Sequence, residues 1–474
     1  MKTVAIIGAG ITGLSAAYRL RQSQVPVTVY EAGGRVGGVI RTLRQEGYLA
    51  EYGPNTLLET SPKITELVRE LGLAGRRLDS DPRAKNRYIV RGQKPVNLPD
   101  SALLFLATKL FSASAKLRLL LEPFIGRANH EESVAEFVKR RLGQEFLDYA
   151  IDPLVSGIYS GDPFRLSIQH AFPKVYELER KYGSLIKGQI LGAPERKRRQ
   201  EVSKAHAKKF SFDEGLQVLP DTLHARLGNA VRLNAVVVGV TQNQEGWTVK
   251  FSSGGGLEQE EHAAVLFAGP AYQLPRIQWD TQLPLDMGPF AEIHYPPVAS
   301  VVLGFRREHV AHPLDGFGML IPGVEGFGIL GAVFSSSLFP DRAPAGHVTL
   351  TAYVGGARHP ELALQSEEAM VQLTLKDLRT LLGVNGPPTF QHIAVFKKAI
   401  PQYEVGFGRF KELMDKVEEK APGLFLAGHF RHGISLSDSL LSGLQTAEKI
   451  EKYFNRLNLN QPAPLFPDTA SPTA

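Results

Sequence analysis

With 474 residues, 43% of them hydrophobic, the chain can bury large cores, and its length suits two or three domains. A net charge of +6, from 54 Lys and Arg against 48 Asp and Glu, is too modest and too dispersed to mark a nucleic-acid binder, while leaving room for anionic substrates or lipid headgroups. The absence of cysteine excludes disulfides, thiolate metal sites, cysteine nucleophiles and a cysteinyl cofactor link, and it fits a reducing compartment.

Residues 2–7 (KTVAII) read as a strand, Gly8-Ala9-Gly10-Ile11-Thr12-Gly13 as a glycine turn and residues 14–21 as a small-residue helix. The glycine spacing accounts for this apolar start better than a signal peptide does. The three glycines serve separate ends, with a tight turn at Gly8, close backbone approach to a pyrophosphate at Gly10, and close helix–strand packing at Gly13. The helix N-terminus offers unpaired N–H groups to the phosphates. A second strand, residues 25–30, ends at Glu31, whose carboxylate suits a ribose 2′-OH and hence an unphosphorylated adenosine ribose. A lone glycine fingerprint is weak evidence, but here strand, helix and acid all fall in place. A second glycine loop follows, Gly33-Gly34-Arg35-Val36-Gly37-Gly38, with Arg41-Thr42 after it. Plain NAD domains have no use for such a loop. Wrapping a pyrophosphate from the other side, through Gly34, Arg35, Gly37 and Gly38, suits a tightly held, non-covalent FAD.

Further along, a strand at residues 47–50 precedes Gly53-Pro54-Asn55, which is either a simple turn or backbone brought close to the flavin. A helix over residues 62–71 opens on Pro62. Residues 85–90 and 92–96 form a hairpin that carries Arg87, a cation either solvated or facing a ligand. Residues 98–124 concentrate apolar side chains in a helical pattern interrupted by Lys109, Lys116 and Arg118. They form either a buried helix pair or a monotopic anchor; no charge-free run reaches the roughly 18–20 residues of a spanning helix. Helices over 133–142 and 144–152 lead to residues 153–163, a small-residue loop that contains Gly157. Residues 196–209 hold seven Lys and Arg and read as a solvated linker. Strands over 231–240, 246–251 and 263–267 return to the nucleotide domain. Strands over 296–306, 316–321, 328–333 and 348–354 suggest one antiparallel sheet, followed by a helix at 366–382. A last strand–glycine–helix device spans residues 423–456, and residues 457–474 have the composition of a disordered tail.

Taken together, these segments resemble protoporphyrinogen oxidases of the heme and chlorophyll pathway, within the flavin amine oxidase superfamily. Residues 8–38 match the superfamily at large. Narrower likeness to the plant-type oxidases comes from Gly53-Pro54-Asn55, residues 85–89, Leu121-Glu122-Pro123, residues 130–134, Ile151-Asp152-Pro153, Gly161-Asp162-Pro163, and residues 334–336 with 339–344. The resemblance implies an α/β class, α+β overall. A Rossmann-like FAD domain (1–80, 210–290 and 400–456) would be joined to an antiparallel-sheet substrate domain (81–97 and 291–399) and a helical membrane-binding domain (98–195). It also implies oxidation of a porphyrinogen, protoporphyrinogen IX first and coproporphyrinogen III as the alternative. Dioxygen would be the acceptor and hydrogen peroxide the by-product, with no catalytic side chain because the cofactor carries the chemistry. Arg87 falls where the family places an arginine against a propionate, and Gly157 where backbone lies beside the tetrapyrrole. Leu320, Val333 and Tyr353 fall at apolar pocket positions, the last two replacing an expected leucine and phenylalanine. On the cofactor side the carry-over adds Gly53 and Asn55, Val237 near the adenine, and Gly428, Ile434 and Ser435 along the flavin. One departure is His432, where glycine is commoner. A cytoplasmic protein, peripheral on the inner face of the cell membrane and without nucleic-acid partners, is implied; homodimer formation stays open.

Overall fold

The structure, a computed structural model, describes residues 3–193 and 207–459. The predicted linker lies outside these residues apart from 207–209, and the predicted tail apart from 457–459. In those remnants Ala207 is buried and Lys209 opens a strand, while 457–459 still belong to the C-terminal helix Leu436–Leu459.

The first sheet is assembled from distant segments. Thr3–Ile7 lies between Val27–Tyr30 and Gly256–Phe267, parallel to both. Val231–Arg232 adds a parallel strand outside Val27–Tyr30, and Leu424–Leu426 pairs in parallel with the end of Gly256–Phe267. That long strand changes character midway. Its charged first half, GLEQEEH, pairs antiparallel with Gly246–Ser253, and its apolar second half, AAVLF, sinks between helices as a parallel-sheet strand. The stretch expected as one strand over 231–240 is two, Val231–Arg232 and Val236–Asn243. Asn234, with φ +54°, turns the chain between them.

The second sheet orders Phe390–Phe396, Val298–Arg306, His347–Gly355, Ile329–Val333, Gly316–Leu320, Asn86–Arg91 and Lys94–Asn97. It is antiparallel except for one pair: Asn86–Arg91 runs parallel to Gly316–Leu320. The hairpin had to enter from a remote part of the chain, so strand order could not follow from local pattern. One face carries Val301, Met319, Ala332 and Ala352 against the helix Glu367–Leu382, which Ser366 caps.

A helical region packs against the second sheet, with Gly157 of Asp152–Tyr159 against Leu320. The expected helix over 98–124 is broken into Ala102–Ala107, Ala113–Arg118 and the 3₁₀ turn Leu119–Phe124. Ser101 and Ser112 each accept an amide hydrogen bond as N-caps, restarting the helix, and Pro123 has no N–H to continue one. Glu122 ties this region together: its carboxylate accepts from Ser184 Oγ at 2.5 Å and from the Leu185 and Ile186 amides, and it pairs with the fully buried Arg141 at 3.1 Å. Residues 153–159, expected as loop, belong to the helix Asp152–Tyr159. Pro153 fits its first turn, and Gly157 answers a packing demand rather than a turn.

Candidate active site

The glycine fingerprint is a backbone cradle. Gly8 has φ +106°, open only to glycine without strain, and a Cβ on Gly13 would lie 2.0 Å from the Gly8 carbonyl oxygen. At Gly10, the N-cap of Ile11–Gln22, a Cβ would meet nothing within 4 Å, so open space faces that N-terminus. The second loop closes over it: Gly37 N–H donates to Ala9 O at 2.8 Å, and a Cβ on Gly38 would lie 3.4 Å from Gly10 Cα. Arg35 spends its guanidinium on the loop itself, donating to the carbonyls of Val36, Gly38 and Ile40. Glu31 accepts from the Ala9 and Gly33 amides, both at 2.8 Å, so its carboxylate sits at the turn where a ribose would lie. The backbone of Asn234, just before Val237 in the chain, donates to Gly33 O, close to Gly34. Open backbone donors at a helix N-terminus, a second glycine loop and a carboxylate at the strand end together fit a dinucleotide.

At the other end, Gly428 (φ +122°) and Gly433 (φ +116°) bracket the short helix His429–His432. Ser435 and Asp438 form a reciprocal cap, Ser435 N–H to Asp438 Oδ2 and Asp438 N–H to Ser435 Oγ, both 3.2 Å, which starts Leu436–Leu459 beside Ile434. His432 does not disrupt the loop: its Nδ1 lies 2.8 Å from Ser442 Oγ, which also accepts from the Gly428 amide.

Sheet register brings the predicted substrate residues together. Arg87, Gly318, Val333, Thr351, Val302 and His392 pair successively across the sheet. Two residues along, Leu320, Gly331, Tyr353, Ser300 and Ala394 form the adjacent row on the same face. That face is opposite the helix-packed one. A Cβ on Gly157 would lie 2.5 Å from Leu320 Cδ2, so the helix Asp152–Tyr159 presses directly on this wall. Tyr353 reaches the loop at Gly53–Asn55: Asn55 Nδ2 donates to its hydroxyl at 2.5 Å, and that hydroxyl donates to Gly53 O at 3.2 Å. Burial raises the Tyr353 phenol well above its ordinary pKa, keeping it neutral.

Some residues at this junction carried no predicted role. Glu51 is a buried carboxyl at the end of the strand Tyr48–Glu51, and Arg342 is a buried guanidinium. A charge closing an apolar run and an arginine inside a family-like stretch were the available signals. Arg41 stacks on Tyr52 at 4.5 Å, and Tyr52 packs on His392 at 4.3 Å, at the end of the row that begins with Arg87. Lys209 feels the charge at the other end: burial, then the charge of Arg87, lowers its ammonium pKa.

A sheet with a parallel core, a backbone cradle at its strand ends and an antiparallel wall fit an FAD-dependent oxidoreductase. The family model for flavin-containing amine oxidoreductases matches residues 11–451, and the chain belongs to that family. It is 37% identical over 480 residues to protoporphyrinogen oxidase 2, chloroplastic/mitochondrial, of Arabidopsis thaliana, covering 95% of this chain and 94% of that one. It is 29% identical to coproporphyrinogen III oxidase of Bacillus subtilis (strain 168), over 93% and 96%. The fold alone is shared with cyclohexylamine oxidase of Brevibacterium oxydans IH-35A, with a TM-score of 0.70 at 17% identity over 96% and 100% of the two chains. The protein is therefore a flavoprotein oxidase that uses FAD.

Proposed function

We propose that the chain oxidises protoporphyrinogen IX to protoporphyrin IX, a six-electron change that consumes three dioxygen molecules and yields three of hydrogen peroxide. The carrying observation is the register that sets Arg87 and Val333 in one row and Leu320 and Tyr353 in the next, on the face turned toward Gly53 and Asn55. FAD bound in the cradle supplies a two-electron acceptor, suited to a substrate whose sp³ bridge carbons join electron-rich pyrroles. The cradle residues Gly8, Gly10, Gly13, Glu31, Gly34, Arg35, Gly37 and Gly38, with Val237, Gly428, Ile434 and Ser435, hold that cofactor. Arg87 takes a propionate through charge-assisted hydrogen bonds, while Leu320, Val333 and the Gly157 backbone flank the macrocycle. No protein base is needed, because the ring nitrogens stabilise the positive charge left at a bridge carbon.

Coproporphyrinogen III is the second reading, favoured by Lys209 beside Arg87, since a four-carboxylate substrate calls for more cations. Incubating the purified yellow protein with each porphyrinogen under air, while following porphyrin fluorescence and oxygen uptake, tests both. Flavin present with neither substrate oxidised above the spontaneous rate sinks the reading.

In this proposal the chain divides into the FAD, substrate and helical domains bounded as above, and the helical domain rests on the inner face of the cell membrane. Leu103 (80% exposed), Leu106 (66%), Leu120 (68%), Phe124 (85%) and Ile190 (69%) form an apolar surface that supports this placement. Among the described residues no helix is long and apolar enough to cross a membrane. Liposome flotation is the test, and a protein left in the aqueous fraction counts against it.

A further inference from the structure

Beside the same face of the wall, where Ser335 meets Thr351 and Asn55 meets Tyr353, lies a cavity of about 10 Å³, lined by Glu51, Asn55, Ser335 and Arg342 with Leu338 and Phe339 closing it. That volume and four polar walls suit one water molecule. The donors and acceptors match. Glu51 is held by Thr42 Oγ1 at 2.7 Å and the Leu216 amide at 2.8 Å, which leaves lone pairs free on its carboxylate. Arg342 commits Nη2 to Ser211 Oγ and Phe212 O, while its Nη1 has only 3.5 Å contacts. Asn55 Oδ1 meets no donor among the described residues, and Asn55 Nδ2 serves Tyr353 and Gly53. A water here can donate to Glu51 and to Asn55 Oδ1 while accepting from Arg342 and Ser335.

We propose that Glu51 is a positioning residue for the porphyrinogen site: with Arg342 and Ser335 it holds one water that orients the Asn55 amide, and through it the Tyr353 hydroxyl and the Gly53 carbonyl. This rests on the substrate reading of that face. The groups facing Glu51 are Thr42 on its hairpin partner, the Leu216 amide, Arg342 with Asp213 and Arg44 near it, and Tyr353 from the sheet. Burial pushes the Glu51 carboxyl up to about 7, so near neutrality it changes from acceptor to donor and the water must turn.

Two measurements test this. A crystal structure of the holoprotein should show an ordered water within hydrogen-bond distance of Glu51, Asn55 and Arg342; a dry cavity overturns the proposal whatever the kinetics. Glu51→Gln should retain flavin and thermal stability, lower kcat roughly three- to tenfold with KM little changed, and remove an inflection near pH 7 from the kcat profile. If the inflection survives in a flavin-loaded Glu51→Gln enzyme, Glu51 does not act on the site. Should the wild type oxidise no porphyrinogen, the substrate reading falls, and the crystallographic water separates that failure from this one.

Discussion

In the dinucleotide cradle the decisive contacts are between backbones close in sequence: Gly13 against the Gly8 carbonyl, and Gly38 against Gly10. In the proposed substrate wall the decisive feature is sheet register, which collects Arg87, Leu320, Val333 and Tyr353 on one face. The cradle tolerates no added atom at its tightest points, because backbone cannot move aside. The wall is built of side chains that can repack, so substitutions there should change specificity before they change folding. The two regions differ in what they demand of sequence: absence of side chains in one, correct pairing of strands in the other.

The largest effect should come from the cradle. Gly13→Ala places Cβ on the Gly8 oxygen and should cost more than about 3 kcal/mol, giving protein without flavin absorbance. Gly10→Ala meets open space and should fold normally while losing flavin affinity, which separates packing from ligand approach. At the seam between the regions, Glu51 makes stability depend on pH. Its folded pKa, about 7, lies above the unfolded value, so the folded state holds the proton more tightly. The contribution is complete below about pH 4 and is lost as pH rises through 7, a change of about 3 kcal/mol. Melting temperatures across that range should fall in the wild type and flatten in Glu51→Gln. In the wall, Arg87→Ala should raise KM about 10- to 100-fold, worth about 2 kcal/mol, with flavin content unchanged. An unchanged KM would remove Arg87 from the site. The smallest effect is expected for Tyr353→Phe, about 1 kcal/mol, read as a few-fold drop in kcat with KM little changed and normal flavin binding.

Arg141 offers a check outside both regions. It is fully buried between Glu122 and Glu179, so Arg141→Met should cost about 3–5 kcal/mol in urea titrations by stranding those carboxylates, with little effect on KM per active enzyme.

From sequence alone the cradle is legible almost entirely, since strand, glycine turn, helix and acid lie within 40 residues and obey local rules of turn geometry and periodicity. One helix start was legible too, since Pro62 fits the first turn of Pro62–Glu70. Arg87 was singled out by the hairpin pattern as a cation either solvated or facing a ligand, but Leu320, Val333 and Tyr353 were named only through resemblance, for neither spacing nor hydropathy reveals that Arg87 stands in a row with Val333. The helix Asp152–Tyr159 was hidden because its glycine and proline read locally as loop, while contact with Leu320 requires a residue without a side chain at Gly157. The parallel entry of Asn86–Arg91, the Glu51–Arg342 cavity and the stack of Arg41, Tyr52 and His392 were decided only by tertiary structure. Each joins segments tens to hundreds of residues apart. Local sequence sets which backbone conformations are cheap; which distant side chains then share a face depends on strand order and register, and those are settled by the packing of the whole chain.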